Sequence, residues 1–570
     1  MQHSLIPKFF TTIREYTREQ FIKDFIAGII VGIIAIPLSI ALGIASFPPE
    51  VAKGMAFSPA ESGLYTAIIA GFLISLLGGS RVQVGGPTGA FVVIVYGIIN
   101  TYGYDGLVIA TIMAGIFLII MGMTRMGSLI KYIPYPVTCG FTSGIAIVLC
   151  ITQLKEFLGM KYTEIPEGSL GKVEAAFNHF GSSDLATVTI GLLALAIIVF
   201  WPEIPGKITK IIPGSLIAII VTTLLVKFLP FASFHDVATI GDRFSDLKAQ
   251  LPPFHIPVVP WDNLRNLVAP ALTIALLAGI ESLLSAVVAD GMTGSRHRSN
   301  AELIAQGAAN VGSALFGGLP ATGAIARTAA NVRNGGRTPV AGMIHAATVL
   351  AIMLIFMPYA KMIPMTTLAA ILLVVCYNMG DWQVFRDMLK APRSDLAVLL
   401  VTCALTILVD LVVAIEVSMI ITAFLFMKRM ADVTEVNVIS DDEEGADEDA
   451  DIRRALARQY GQKIQIYEIR GPFFFGAADK FMAMLNQMHD DTRVIIVKLE
   501  HVPAMDATAL HFLDTLHTTC RKRNIGLYLT HVASQPMRVI RKSDFFEDLG
   551  ADHFYPDLET AVLAVCWQLD

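Results

Sequence analysis

"LLGGSRVQVGGPTGAFVVIVYGIIN" occupies residues 76–100, inside a region that otherwise reads as membrane-spanning. A helix that crosses a bilayer needs about 20 consecutive apolar residues. Here Gly78, Gly79, Ser80, Arg81, Gln83, Gly85, Gly86, Pro87, Thr88 and Gly89 stand where membrane depth is expected. A similar interruption returns as "LFGGLPATGAIARTAANV" at residues 315–332. Backbone groups left open in hydrocarbon cost several kcal/mol each, so irregular chain at that depth must be buried in protein or line a cavity.

Composition surrounds these breaks with lipid. The chain has 570 residues, 54% hydrophobic and 16% charged, against about 25% charged in soluble domains. Charge is sparse between Phe25 and Met427 and dense after Lys428. This predicts a polytopic α-helical membrane protein with a soluble C-terminal tail. The net charge of −6 says little about partners, because much of it comes from one acidic run; no nucleic-acid partner is expected. The six cysteines have no CxxC or CxxH spacing, so no metal site and no disulfide framework is expected. The first 24 residues read as a polar, amphipathic lead-in without a cleavage site, and so as a cytoplasmic segment rather than a signal peptide.

About fourteen apolar segments follow, starting near Phe25, Gly63, Thr88, Gly106, Ile133, Leu185, Ile211, Leu264, Glu302, Ile325, Pro339, Thr366, Asp395 and Leu411. Lys8, Arg14, Arg18 and Lys23 precede the first, which predicts a cytoplasmic N-terminus. An even number of spans then places Arg125/Lys131, Lys207/Lys210, Arg296/Arg298, Arg333/Arg337, Arg386/Lys390/Arg393 and Lys428/Arg429 inside, with "TYGYDG" (101–106) outside. The expected division is a transmembrane domain over 25–430, an acidic linker over 431–462 that includes "DDEEGADED" (441–449), and a cytoplasmic domain over 463–570. In that last part "KIQIYEIRG", "TRVIIVKLE" and "IGLYLTHV" read as strands. "AADKFMAMLNQMH" and "DATALHFLDTLHTTCRKRN" read as helices, with two more after them. Alternating strands and helices imply a small α/β domain with a largely parallel sheet.

The breaks themselves predict chemistry. Gly78-Gly79 and Gly317-Gly318 correspond at an offset of 239 residues (318 − 79), which sets Pro87-Thr88 opposite Ala326-Arg327. Paired interruptions in the two halves of a carrier mark a repeated architecture with the substrate at the breaks. Half-helices beginning at Thr88 and near Ile325 would each aim N–H groups and about +0.5 charge at one point. Such a point attracts an anion.

Arg327 adds a full charge, at an insertion cost of at least about 2.5–3.5 kcal/mol. It reads as a ligand for an oxyanion, or alternatively as a structural partner of Glu281 or an arginine that snorkels to the cytoplasmic face. Glu281 lies in the apolar run "LLAGIESLLSAVVADGMTG", with Ser285 at i+4 on the same face. The carboxylate could carry a coupling proton, help hold Na⁺, or only neutralise Arg327. Asp290 reads as a cap or cytoplasmic contact, His345 as a hydrogen-bonded interhelical histidine, and Asp410 and Glu416 as solvent-facing. Pro37 should kink the first span. "GGPTGA" looks like a phosphate loop, but no Gly-Lys-Ser/Thr follows it, and no enzyme constellation is found.

Four stretches resemble the SulP family, the sulfate permeases: "GGPTGAF" (85–91), "YIPYPVTCGFTSGIAI" (132–147), "DGMTGSRHRSNAELIAQG" (290–307) and "GAIARTAANVRNGG" (323–336). The tail is similar to the STAS domain that family carries. Within the family, "AVVADGMTG", "AIARTAANVR" and "FFFGAADKF" are most similar to the bacterial C4-dicarboxylic acid uptake carriers. The resemblance implies two inverted seven-segment repeats, core and gate domains, a homodimer in the bacterial inner membrane, and no cofactor beyond a coupling H⁺ or Na⁺. It also implies an anion bound at Thr88, Gly89, Ala90, Ala326 and Arg327, beside Pro37, Ser39 and Leu42, with Glu281 as the coupling group. Leu38 stands where many sulfate and halide members have Gln, which leaves room for a dicarboxylate such as succinate ahead of sulfate or bicarbonate. An uncoupled exchanger or channel on the same fold remains the alternative. In "MDATAL", Thr508 matches a position that antagonist proteins of the STAS fold phosphorylate, so a cytoplasmic protein partner is implied; Asp506 capping a helix is the plainer reading.

Overall fold

The computed structural model describes residues 5–48, 51, 55, 57–128, 134–161, 168–205, 212–228, 237–244, 249–258, 264–380, 382–409, 411–438, 463–474 and 491–569. The acidic run 441–449, the helix expected over 477–489, and Lys131, Lys207, Lys210 and Asp410 lie outside them. Contacts divide the chain into two compact units, Met1–Met419 and Ile420–Asp570.

The first unit is all helix apart from two short strands. In order its helices are α1 (Lys8–Thr12), α2 (Arg18–Ala45), α3 (Pro59–Leu77), α4 (Gly89–Met123), α5 (Tyr135–Leu158), α6 (Gly168–Asn178), α7 (Leu185–Phe200), α8 (Gly214–Phe228), α9 (Ile240–Arg243), α10 (Val268–Thr293), α11 (Ser299–Leu315), α12 (Ile325–Arg333), α13 (Pro339–Ala360), α14 (Met365–Met379), α15 (Trp382–Met388) and α16 (Arg393–Leu408). α17 (Leu411–Val433) runs across the boundary between the units. Seven helices among the described residues are long and apolar enough to span a membrane. The segments expected near Ile211, Glu302, Ile325, Thr366 and Asp395 form shorter helices, α12 at the second break being the shortest, and α17 has 23 residues.

Local signals start the helices. Ser58 and Glu61 form a capping box ahead of Pro59; Thr338 caps α13 in front of Pro339. Pro37 lies inside α2, whose assigned helix is unbroken from Arg18 to Ala45. α4 is two helices joined at Gly103, whose φ of 70° suits a residue with no Cβ. The expected 101–106 loop is therefore a one-residue kink.

Two bodies of helix pack side by side. α2, α3, α4, α10, α11, α12 and α13 lie mainly on one another, while α5, α7, α8, α14 and α16 form the second group. Small residues set the closest approach: a Cβ on Gly63 would stand 2.0 Å from the Ser39 carbonyl oxygen. With lipid outside, such backbone-to-backbone packing rather than hydrophobic exclusion holds helices together.

β1 (Gly85–Gly86) and β2 (Thr322–Gly323) pair antiparallel, Gly85 with Gly323 and Gly86 with Thr322. The two breaks therefore run in opposite directions, as an inverted repeat requires. This corrects the 239-residue offset. α4 begins after the cap residue Thr88 and α12 after Ala324, an offset of 236 (324 − 88), so Thr88 corresponds to Ala324 rather than to Arg327. The matching Gly-Gly pairs lie outside the paired strands, and unequal lengths of extended chain separate them from the helix starts.

The second unit is a five-stranded sheet in the order β3 (Glu435–Val438), β4 (Ile464–Arg470), β5 (Val494–His501), β6 (Gly526–Thr530), β7 (Phe554–Tyr555). β4 to β7 are parallel and β3 is antiparallel. α18 (Ala507–Lys522), α19 (Ser534–Ile540), α20 (Asp544–Leu549) and α21 (Leu558–Leu569) accompany it. Leu513 and Leu516 of α18 share one core with Ile495 and Val497, while Val562 and Val565 of α21 share another with Ile496 and Tyr528. β5 is thus covered on both faces, which explains its continuous apolar run. β3 and β7 were not expected. "EVNV" falls in the stretch read as linker, and a four-residue edge strand carries too little pattern to stand out beside an acidic run.

Candidate functional site

The crossing of the breaks is built by satisfying open backbone with side chains from neighbouring helices. In the first break, Gly79 and Ser80 donate their N–H groups to one carboxylate oxygen of Glu302 at 2.8 and 3.1 Å. Glu302 is 0% exposed and takes a third bond from Gln306 at 2.8 Å. Asn331 donates to the Val82 carbonyl at 2.8 Å, Gln83 to Ser282 O at 3.1 Å, and the Val84 N–H to Thr328 Oγ1 at 3.1 Å. The second break is held by neutral groups. Asn310 both accepts from Ala321 N and donates to Ala321 O, each at 2.9 Å. Thr66 accepts from Leu319 N at 2.7 Å, and Ser282 accepts from Gly323 N at 3.0 Å. The backbone debt of an interrupted segment is thus met from α3, α10, α11 and α12.

The residues expected around an anion separate into two groups. On the partly open side, the Thr88 hydroxyl donates to Glu281 Oε2 at 3.1 Å. Thr88 and Glu281 are partly exposed there, and Ala326 is exposed. On the closed side lies Arg327, 1% exposed, the largest fully buried side chain among the described residues. Its Nη2 donates to the Pro87 carbonyl at 3.2 Å and to Ser39 Oγ at 3.4 Å, while Nε and Nη1 have no hydrogen-bond partner among the described residues. A Cβ on Gly86 would meet Nη1 at 2.0 Å, so a glycine is needed for the guanidinium to lie flat against the strand. No ion pair joins Arg327 to Glu281 among the described residues. Neither the structural-pair reading nor snorkelling of Arg327 describes this geometry: the guanidinium braces the first break from the second, with two donors unspent.

The other expected residues take more varied places. Gly89 faces α5 and α14, where a Cβ would sit 3.4 Å from Met379 and 3.5 Å from Leu149. Ala90 is fully buried. Pro37 is buried within α2, and Leu42 packs in the core with Leu64 and Tyr65. The Ser285 hydroxyl donates to Thr328 Oγ1 at 3.2 Å and so joins the chain of bonds that ends at Val84 N, rather than Glu281. His345, expected to be hydrogen-bonded between helices, is fully buried on α13, with the α2 backbone at Val31 as its hydrogen-bonding neighbour. Asp290, in the last turn of α10, accepts from His297 N at 2.8 Å and lies 2.7 Å from its ring Nδ1, which ties the helix end to the loop before α11. Glu416 is exposed. In the second unit Asp506 caps α18 through Ala509 N at 2.8 Å, and Thr508 is exposed on its first turn.

Glu302 and Asn310 were missed as positioning residues. Their signal was present: a glutamate, a glutamine and an asparagine at i, i+4 and i+8 mark one polar stripe on a helix of the membrane unit. Asp24 was missed as well. It is 0% exposed and accepts from Arg337 N and Gln20 Nε2, each at 2.9 Å, which ties α2 to the start of α13.

Comparison with known proteins converges on one group. Residues 21–402 match the sulfate permease family and residues 457–561 the STAS domain. The chain is 36% identical to the Bacillus subtilis (strain 168) protein YvdB, provisionally named a sulfate transporter, over 96% of this chain and 98% of the other. It is 30% identical to the bicarbonate transporter BicA of Synechocystis sp., covering 95% and 94% of the two chains. Among solved structures the murine anion transporter Slc26a9 has the same fold, with a TM-score of 0.83, 17% identity, and coverage of 98% and 93%.

Proposed function

The chain belongs to the sulfate permease family, and from that premise we propose that it is a secondary active transporter that moves a small anion by alternating access. The observation that carries this reading is the crossing itself. Two helices start there, and among the described residues Arg327 keeps unspent donors beside Pro87 while Glu281, bonded to Thr88, has no ion-pair partner. A helix N-terminus is a ready anion site, and a carboxylate beside it can bind a coupling cation when the anion is present.

The names of the relatives favour sulfate and bicarbonate over the dicarboxylate suggested by the sequence motifs. Succinate remains the third candidate. In this reading Thr88, Gly89, Ala90 and Ala326 with Arg327 surround the anion, Pro37, Ser39 and Leu42 back it from α2, and Glu281 carries H⁺ or Na⁺ while Ser285 orients its surroundings. The protein is a homodimer of the bacterial inner membrane with both termini cytoplasmic. The transport domain takes in residues 25–430 and the STAS domain 463–570. Its exposed Thr508 presents a first-turn hydroxyl to a cytoplasmic partner or kinase.

The test is uptake of labelled sulfate, bicarbonate and succinate into proteoliposomes with an imposed pH or Na⁺ gradient. One anion accumulating against its gradient, with dependence on one cation, is the expected result. Equilibration without accumulation under every gradient would favour the uncoupled exchanger or channel, and no flux of any of the three would reject the reading.

A further inference from the structure

A second basic locus lies away from the crossing, at the end of the bundle where α2 finishes. A cavity of about 120 Å³ opens there between α2 and α4 on one side and α5, α6, α9 and α14 on the other. Its lining includes Val92, one turn along α4 from Gly89, and Leu372, one turn along α14 from Val375, which faces Gly89. The lining also carries three cations, Lys155, Lys172 and Arg243, and one carboxylate, Glu156.

The carboxylate is already engaged, since Arg243 Nη1 binds Glu156 Oε1 at 2.6 Å and joins α9 to α5. Lys155 sits in the last turn of α5, where the helix C-terminus favours a cation. Lys172 has no such account. It is largely buried, it pairs with no carboxylate among the described residues, and its ammonium lies 5.1 Å from the centroid of the Tyr96 ring on α4. α6 explains how it is held. Leu170, Val173 and Phe177 line one exposed apolar face at i, i+3 and i+7, as in a helix resting in a membrane interface, while Lys172 projects from another face onto the cavity.

We propose that this cavity is a second anion site, in which Lys172 and Arg243 receive a small oxyanion before it reaches the crossed breaks. The volume is ample for a small oxyanion, since a single water needs only about 10–15 Å³ on the same measure, and the Thr152 and Gln153 side chains at the wall add hydrogen-bonding groups. The cation–ring contact spans the two helical bodies, so an anion there would bind Lys172 in competition with the Tyr96 face. The inference rests on the transport reading, and its test separates the two.

The test is anion-induced thermal stabilisation of the full-length detergent-solubilised protein, with potassium sulfate, bicarbonate and succinate against chloride at matched ionic strength. Wild type, Arg327→Ala, Lys172→Met and the double variant are compared. Each single variant should keep part of the shift and the double variant none, because ligand bound only by the folded state stabilises it at each site. Loss of the whole shift in Arg327→Ala, persistence in the double variant, or no shift with any of the three anions would overturn the site. A second measurement does not depend on how Arg327→Ala folds: uptake kinetics of Lys172→Met and Lys172→Arg. Lys172→Met should raise KM about tenfold for the anion applied at the α2-C-terminal face, with kcat and the opposite-face KM unchanged, and Lys172→Arg should restore it. A wild-type KM in Lys172→Met, or an equal rise from both faces, overturns the proposal. Lys172-dependent binding in a protein that moves no anion would instead break the transport reading and leave the site standing.

Discussion

The two breaks solve one problem with different chemistry. Both must satisfy extended backbone away from water, yet the first is clamped by the charged Glu302 and braced by the charged Arg327, while the second relies on Asn310, Thr66 and Ser282. Asn310, Thr66 and Ser282 pair donor with acceptor and leave no buried side-chain atom over among the described residues. At the first break Arg327 Nε and Nη1 and the amide oxygens of Gln83 and Asn331 are without hydrogen-bond partners among the described residues. The difference teaches that the second break is chiefly scaffold, and that it lends its one cation to the first.

Substitutions can break or sharpen this contrast. Arg327→Ala should have the largest effect. Truncating a buried, hydrogen-bonded charge costs about 2–5 kcal/mol, so uptake should fall at least about thirtyfold while size-exclusion chromatography still shows a monodisperse protein. Uptake near wild type would return Arg327 to a purely structural role. Glu281→Gln should act next and differently. With one proton coupled per anion, a pH step of one unit drives about tenfold accumulation; the variant should equilibrate its anion but show no pH-driven accumulation, and retained accumulation would exclude Glu281 as the proton carrier.

Gly86→Ala tests the contact between the breaks. Its methyl would overlap Arg327 Nη1, and displacing a packed side chain costs about 1–3 kcal/mol. Uptake should drop roughly tenfold, with little further loss when added to Arg327→Ala. Full additivity in that double-mutant cycle would mean the glycine matters for another reason. The smallest effects fall on stability. Glu302→Ala and Asn310→Ala each strand buried backbone groups, at about 1–3 kcal/mol per group. Both should lower the apparent melting temperature, whereas Glu302→Gln, which keeps an acceptor oxygen, should recover part of the loss. An unchanged melting temperature in Glu302→Ala would show that the first break does not depend on its clamp.

Several features of this molecule were legible in its residues one at a time. Gly78-Gly79, Pro87, Gly317-Gly318 and Pro320 announce interrupted segments because glycine and proline act on local backbone. The expected start at Leu185 coincides with α7, and those at Ile325 and Pro339 coincide with α12 and α13. The strands β4, β5 and β6 showed because alternating or continuous apolar runs are local too. The sign of the candidate ligand followed from helix starts alone, since every helix N-terminus presents unpaired N–H groups.

Partnership was not legible. Glu302 meets Gly79 across 223 residues of chain, and Arg327 meets Pro87 across 240. Spacing suggested that Glu281 and Ser285 act together because they share a helix face, yet Glu281 takes the Thr88 hydroxyl and Ser285 reaches Thr328. The match of Thr88 to Arg327 failed for the same reason. Counting from the Gly-Gly pairs ignores the antiparallel register that sets Gly86 against Thr322. Sequence by itself determined where the chain breaks, that apolar helices surround the breaks, and that a small α/β domain follows them, because propensity and periodicity act over a few residues. Only the tertiary structure decided which side chains repair each break and which charge is left unspent, because a buried hydrogen-bond partner is whatever the packed neighbouring helix brings within 3 Å.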